Sequence, residues 1–169
     1  GDSPQYNNPD NAPAWEAARL VGIAHGLTNA LRSSISTVSS TGRLLFLPQD
    51  IMEQYHVTTP RYYLSALGQG DPQGQQALQK AVEHIANVAR QHLQQARALR
   101  PQILAQAASS SSRNAALTVL LPGLASETWL ERLESHQYRL TDPNLRLMNL
   151  TEHAKCSWRL VSAYLMKRY

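Results

Sequence analysis

Apolar and small residues recur at helical spacing over most of the chain, without the strict alternation that is typical of strands. The first such segment predicts a helix from Pro13 to Ser36, because these residues fall every three or four positions: Ala17, Leu20, Val21, Ala24, Leu27, Leu31 and Ile35. A proline in the first turn favours a helix start. Helix propensity then falls in a run rich in serine and threonine, and we expect the helix to end before Gly42.

The strongest helical pattern follows a segment rich in glycine, and it runs from Gln75 to Leu99. Its inward face is formed by Leu78, Ala81, Val82, Ile85, Val88, Ala89, His92, Leu93 and Ala96. Either helix alone would leave a wide apolar stripe in water. We therefore expect the two helices to pack together.

Shorter helices complete the prediction of an all-α fold. Two are expected at Asp50–Tyr55 and Tyr62–Leu67, and Pro101 is expected to interrupt or kink the long second helix. Ser126 is predicted to cap a helix that turns Trp129, Leu130 and Leu133 inward. A closing helix is expected from Leu150 to Met166. The chain is interpreted as one domain over residues 1–169, with an entry loop at 1–12.

Composition narrows the class of protein. Hydrophobic residues make up 43% of the chain and charged residues 17%, which favours a folded globular domain over a disordered chain. The apolar run Leu44–Pro48 is far shorter than the roughly 20 residues that cross a bilayer. A formal charge of +4 favours an anionic partner, although the basic residues are too scattered to indicate base recognition. Cys156 is the single cysteine, which suits a reducing compartment.

A motif frame surrounds the run of serines and threonines. The stretch "VGIAHGLTNALRSSISTVSSTGRLLFLPQDIM" (21–52) carries fixed residues on both sides of it: Gly22, Ala24, Asn29, Leu31, Arg32, Gly42, Arg43, Leu47 and Pro48. This frame resembles the second signature of the squalene and phytoene synthases, the head-to-head prenyl synthases. The resemblance extends over most of the chain and implies a prenyl-synthase-like helical bundle. It also implies that the chain is the C-terminal part of that fold, with further helices upstream, so that it would not be self-sufficient alone.

The chain departs from that family at its metal-binding positions. The family has two aspartates four residues apart, with an acidic residue between them, and these hold magnesium ions that bridge a substrate diphosphate. Ser33 and Thr37 stand at the aspartate positions here, and Ser36 stands at the intervening one. Hydroxyl groups cannot replace carboxylates as ligands of a hard cation, and they bring no negative charge. The resemblance therefore implies a degenerate diphosphate and metal site, with no catalytic residue, no metal and no cofactor.

Two interpretations stay open for the arginines that flank this stretch. Arg32 and Arg43 could contact an anion such as a phosphate or a lipid headgroup, because a guanidinium binds such groups in a bidentate manner. The alternative is that they form ion pairs that tie the helix end to its loop.

Other residues with chemical potential have ordinary structural interpretations. Two acidic pairs have helical spacing and are expected to lie on solvated helix faces: Asp50 and Glu53, Glu127 and Glu131. His153 and Cys156 are three residues apart, without a second pair to complete a metal site. Three histidines are expected to be hydrogen-bonded within or beside helices, and the three tryptophans are expected to be packing residues: His25, His84, His92, Trp15, Trp129 and Trp158.

A non-catalytic mitochondrial branch of the family, the complex I assembly factor 6 group, also lacks the second aspartate pair. The segments "LPQDIM", "SETWLERLESHQYRLTDPNL" and "YLMKRY" resemble its pattern. This resemblance implies a scaffold or assembly factor in the mitochondrial matrix or at the inner membrane. Its partners would be protein subunits of a mitochondrial complex, with peripheral membrane or lipid contact and no transmembrane segment.

Two alternatives stay open at this stage. One is a permanent structural subunit of a large mitochondrial particle, such as the mitoribosome or a respiratory complex. The net positive charge would then suit contact with rRNA. The other is an active isoprenoid synthase with an atypical metal site.

Overall fold

The computed structural model describes residues 12–43, 47–67, 71–106 and 117–146, together with residues 154, 157–159 and 161–162. Those residues contain no strand. They form seven helices: α1 (Ala12–Thr41), α2 (Gln49–Gln54), α3 (Pro60–Leu67), α4 (Pro72–Ala98), α5 (Arg100–Gln106), α6 (Leu121–Ser135) and α7 (Pro143–Arg146). A 3-10 turn at Thr118–Leu120 leads into α6. The all-α prediction is confirmed.

The core lies between α1, α4 and α6, as expected for the two long helices. At one end of the bundle, Gly123 of α6 lies so close to its neighbours that a Cβ atom there would be 3.0 Å from Leu93 and 3.8 Å from Val21. At the other end, Ser34 of α1 contacts Tyr63 of α3, the helix that leads into α4. The order of these contacts shows that α4 runs antiparallel to α1. It also runs antiparallel to α6, since Arg97 pairs with Glu127 and Arg90 pairs with Glu134.

Helix α1 extends beyond its predicted end at Ser36 and stops at Thr41. It continues because Ser34 and Val38, one turn apart, are both buried and prolong the inward face. The helix then ends as expected at Gly42, which has a left-handed φ of 64°. The Gly42 N–H donates to the Val38 carbonyl over 2.9 Å, which is the usual bond of a glycine-terminated helix.

The ends of α4 also differ from the prediction by a few residues. Asp71 caps the helix, because its carboxylate accepts the Gly74 N–H over 2.9 Å, and Pro72 fills the first turn. The helix ends at Ala98. Pro101 then falls in the first turn of α5, where the missing N–H costs no helical hydrogen bond.

The prediction that Ser126 caps a helix is wrong. Helix α6 begins at Leu121, because Pro122 suits its first turn, and this places Ser126 in the helix interior. Ser126 is buried there, and its hydroxyl lies 3.1 Å from His25 Nδ1 of α1. Its burial against α1 shows that the serine serves packing between helices.

Two of the three tryptophans do not pack as expected. Trp15 is 54% exposed and Trp158 is 70% exposed, whereas Trp129 packs against the core. The entry loop at 1–12 lies outside the described residues except for Ala12, which is already helical. Most of the expected Leu150–Met166 helix also lies outside them. In the part of the chain that is described, no helix is both long and apolar enough to span a membrane.

Candidate functional site

The candidate site is the second half of α1, where the chain departs from the family pattern. Ser33 and Ser36 are exposed, Thr37 is half-buried, and Ser34 between them is buried. Neighbouring positions of a helix point about 100° apart, so the serines and threonines of this segment lie partly on the outward face and partly on the inward face of α1. The positions that correspond to the family's acidic residues lie on the outward side.

The hydroxyl hydrogens of this segment are used by the helix itself. Ser33 donates to the Asn29 carbonyl over 2.8 Å, and Ser36 donates to the Ser33 carbonyl over 2.9 Å. Thr41 donates to the Thr37 carbonyl over 2.7 Å. Serine and threonine often bond back to the preceding turn in this way. The exposed oxygen atoms of these side chains therefore keep only their lone pairs, and they act as neutral hydrogen-bond acceptors.

These residues do not fit a divalent metal ion. Magnesium prefers carboxylate oxygens, and a diphosphate substrate needs cationic charge to balance its own. The side chains of Ser33, Ser36 and Thr37 carry no charge. Within the described residues, no group of three or more histidine, cysteine, aspartate or glutamate side chains converges as a metal site. The pair His153 and Cys156 lies outside that part of the chain.

The acidic pairs that could have substituted for the missing aspartates have other contacts. Glu127 accepts two bonds of 2.6 Å from Arg97, and Glu131 accepts from Arg159. Glu53 accepts from Gln49 over 2.7 Å. The strongest of these contacts tie α6 to α4 and to the helical residues near 159, so they serve packing between elements.

The two flanking arginines are available to a partner. Arg32 and Arg43 are both exposed, and neither forms an ion pair with any residue that the structure describes. The backbone N–H of Arg43 donates to Thr41 Oγ1 over 3.2 Å, which fixes the chain just past the helix end. The interpretation that these arginines form ion pairs between helix and loop is wrong for the described residues. The anion-contact interpretation stays a prediction.

The buried contact between Ser34 and Tyr63 was not predicted from the sequence. The Tyr63 hydroxyl donates to Ser34 Oγ over 2.7 Å, and Ser34 in turn donates to the Leu31 carbonyl over 2.7 Å. Burial raises the pKa of Tyr63 to about 12. One serine of the polar run therefore has a structural role.

A second polar contact joins α1 to α6. His25 Nδ1 lies 3.1 Å from Ser126 Oγ, and His25 Nε2 lies 2.9 Å from the Asn29 amide nitrogen. His84 lies 3.4 Å from the Tyr55 hydroxyl. The expected hydrogen bonding is confirmed for these two histidines, but the buried Nδ1 atom of His92 has no partner in the described part of the chain.

Comparison with known proteins agrees with the motif frame. The chain matches the family described as squalene/phytoene synthase over residues 5–157. This match covers far more than half of the 169 residues, so the chain belongs to the squalene/phytoene synthase family. The described helices agree with the prenyl-synthase-like fold of that family. No curated protein and no solved structure matches the chain.

Proposed function

We propose that this chain is a non-catalytic member of its family and acts as a mitochondrial scaffold or assembly factor of the respiratory complex I assembly type. The observation that carries the proposal is the chemistry of Ser33 and Ser36. Their hydroxyl hydrogens are donated to carbonyls of their own helix, at positions where the family uses acidic side chains. Such oxygens neither neutralise a metal ion nor donate to a diphosphate.

The flanking arginines do not make up for the loss. Ionisation of a diphosphate leaving group needs charge compensation at the oxygens that receive the electrons, and divalent cations supply most of it. Arg32 and Arg43 carry one charge each and are exposed to water, where an ion pair gains only about 0–1 kcal/mol. They can attract a diphosphate without promoting cleavage of the bond between its oxygen and the substrate carbon.

The outward face of α1 supports a role in protein contact. Gly22, Gly26, Asn29, Ser33 and Ser36 repeat every three or four positions and are exposed. Among the described residues, no neighbouring atom lies within 4 Å of where a Cβ would stand at either glycine, so another backbone could approach closely. The serine oxygens accept hydrogen bonds, which favours a partner surface rich in N–H donors.

Depletion of the full-length protein tests the assembly role. We expect assembled respiratory complex I, separated on native gels, to fall, and we expect the wild-type protein to restore it. The Gly22→Leu and Gly26→Leu double variant should fold and fail to restore it, because bulky side chains would block the outward face of α1. Gln94→Leu, at an exposed position of α4, is the matched control and should restore assembly. Unchanged complex I after depletion would contradict this function.

A permanent structural subunit is the second candidate, and the net charge of +4 favours it, since an RNA-rich particle attracts cations. Sedimentation of mitochondrial extracts separates the two candidates. An assembly factor is expected in fractions of intermediate size, separate from the mature complex. A structural subunit would comigrate with the mature particle in stoichiometric amount.

A further inference from the structure

A cavity of 560 Å³ lies at the end of the bundle where α3 leads into α4 and where the turn between α6 and α7 lies against α4. Its lining includes three buried apolar side chains, Ala66, Leu78 and Leu140. The volume falls in the range of sites for small molecules. The cavity is lined by none of the residues of the degenerate site in α1, so it is a separate feature of the molecule.

The polar lining of the cavity consists mainly of carboxamides and a hydroxyl. Gln75, Gln76 and Gln79 project from the first turns of α4, and Thr141 lies opposite in the turn after α6. The carboxamides of Gln76 and Gln79 each offer two donors and an acceptor. This lining therefore suits a ligand that itself carries several hydrogen-bonding groups.

Arg139 is the charged side chain of the described lining, which contains no carboxylate. Asp71 and Asp142 lie close by in the sequence, but both carboxylates have partners. Asp71 accepts the Gly74 N–H, and Asp142 accepts the Asn144 N–H and contacts His136 Nδ1, each over 2.9 Å. Arg139 is exposed and makes no ion pair with a described residue. Its guanidinium is therefore not held in an ion pair with a described residue beside the cavity.

The turn that carries Arg139 is held in a strained conformation. Gln137 and Tyr138 have positive φ angles of 54° and 58°, which cost of order 1 kcal/mol or more for residues other than glycine. The Tyr138 N–H donates to the Leu133 carbonyl over 2.9 Å, and the Tyr138 hydroxyl accepts from Arg90 over 3.1 Å. These contacts fix the backbone immediately before Arg139 and hold Tyr138 in the cavity wall.

We propose that this cavity binds a small polar organic anion, a molecule with one carboxylate or phosphate group and several hydroxyl groups. Arg139 would bind the anionic group, because a guanidinium matches carboxylate and phosphate geometry. The carboxamides of α4 would bind the hydroxyl groups, and Leu78 and Leu140 would contact the carbon face. The site goes beyond the proposed scaffold function and does not depend on it.

Calorimetry and NMR titration of the full-length protein test this site with four probes: gluconate, glucose 6-phosphate, glucose and inorganic phosphate. We expect at least one of the two organic anions to bind with millimolar or better affinity and to shift the side-chain amide signals of Gln75, Gln76 and Gln79. Binding by one anion alone identifies the anionic group that the site prefers. Arg139→Gln should weaken binding by about tenfold or more. Arg61→Gln, which removes an exposed arginine outside the lining, is the matched control and should bind normally.

Three results would overturn the proposal. The first is evidence that the anionic group is irrelevant: either glucose binds as tightly as the organic anions, or the Arg139→Gln variant binds those anions as tightly as the wild-type protein. The second is equal binding of inorganic phosphate, which would reduce the site to a simple anion contact. The third is the absence of heat and of signal shifts for both organic anions at about 10 mM. The thermal midpoint of each variant shows that the fold is retained, and Gln79→Glu provides a second variant that should repel the anion.

Discussion

The Tyr63 hydroxyl donates a hydrogen bond to Ser34 Oγ across 2.7 Å, and both side chains are fully buried. This contact fixes α3 against the half of α1 that contains the serines and threonines. In the described part of the chain, the exposed neighbours Ser33 and Ser36 make no such contact with another helix. The segment therefore has a buried side that the fold needs and an exposed side that presents neutral hydroxyl groups.

Tyr63→Phe is expected to reduce the loss of stability at alkaline pH. Burial raises the pKa of Tyr63 to about 12 from an ordinary value of 10.0, so the folded state holds the phenolic proton more tightly than the unfolded state. The protonated Tyr63 thus contributes about 2–3 kcal/mol to the free energy of unfolding. This contribution is complete below pH 10 and is lost as the pH rises toward 12. Urea unfolding at neutral and alkaline pH measures it. Tyr62→Phe, the neighbouring control, should keep the steep alkaline decline, and an equally steep decline in Tyr63→Phe would count against the assignment.

Glu127→Gln is expected to lower the free energy of unfolding by about 1 kcal/mol at pH 7. The Arg97 guanidinium donates two bonds to this carboxylate and holds the pKa of Glu127 below its ordinary value. Its contribution is present above pH 4.5 and is lost as the pH falls through the lowered pKa. The difference between variant and wild type should therefore shrink in acid.

The matched control for this ion pair is Glu83→Gln, which changes an exposed glutamate of α4 that has no ion pair among the described residues. It should change stability by a few tenths of a kcal/mol at most. If Glu127→Gln lowered the free energy of unfolding by the same amount at neutral and acid pH, the loss would come from packing and the ion pair would not account for it.

Gln137→Gly is expected to raise the free energy of unfolding by about 1 kcal/mol. Gln137 lies two residues past the end of α6 in a left-handed conformation with φ 54°, and its N–H donates to the Glu134 carbonyl over 2.8 Å. Glycine adopts this conformation without steric cost. The same substitution at Gln94, an exposed position inside α4, should instead destabilise by about 1 kcal/mol. If the thermal midpoint rises for Gln137→Gly and falls for Gln94→Gly, the steric cost of the left-handed conformation at Gln137 is confirmed. Shifts of the same sign in both variants contradict it.

Larger side chains at the glycines of α1 and α6 are expected to change the free energy of unfolding in opposite directions. Gly22→Ala should stabilise by about 1 kcal/mol, because the site is helical and no neighbouring atom of the described residues lies within 4 Å of the new Cβ. Gly123→Val should destabilise by about 1–3 kcal/mol, because its Cβ would meet Leu93 at 3.0 Å. Denaturant unfolding of both variants measures these changes. A neutral Gly123→Val would show that α6 can move away from α4 without cost.

The inward faces of the long helices could be predicted because burial follows their period. Ala17, Leu20, Val21 and Ala24 are buried in α1, and the same holds for most of the expected face of α4. The family was also recognisable from residues within one local segment, 21–52. Both signals depend on short-range sequence spacing, which a single chain displays directly.

Other features depended on contacts between distant segments. Ser34 is separated from its partner Tyr63 by 29 positions, and His25 is separated from Ser126 by 101. Ser126 carries the local signal of a helix cap, but Pro122 begins the helix one turn earlier. The cavity near Arg139 arises only when the start of α4 meets the turn after α6, so spacing along the chain gave no indication of it.

We expect that the outward face of α1 does not support diphosphate chemistry. The most direct measurement is incubation of the full-length protein with magnesium and farnesyl or geranylgeranyl diphosphate, followed by product analysis beside an active squalene or phytoene synthase. We expect no turnover above a control without protein, because Ser33, Ser36 and Thr37 supply neutral oxygens where the reaction needs anionic ones. Magnesium-dependent turnover that Arg32→Ala abolishes would contradict it.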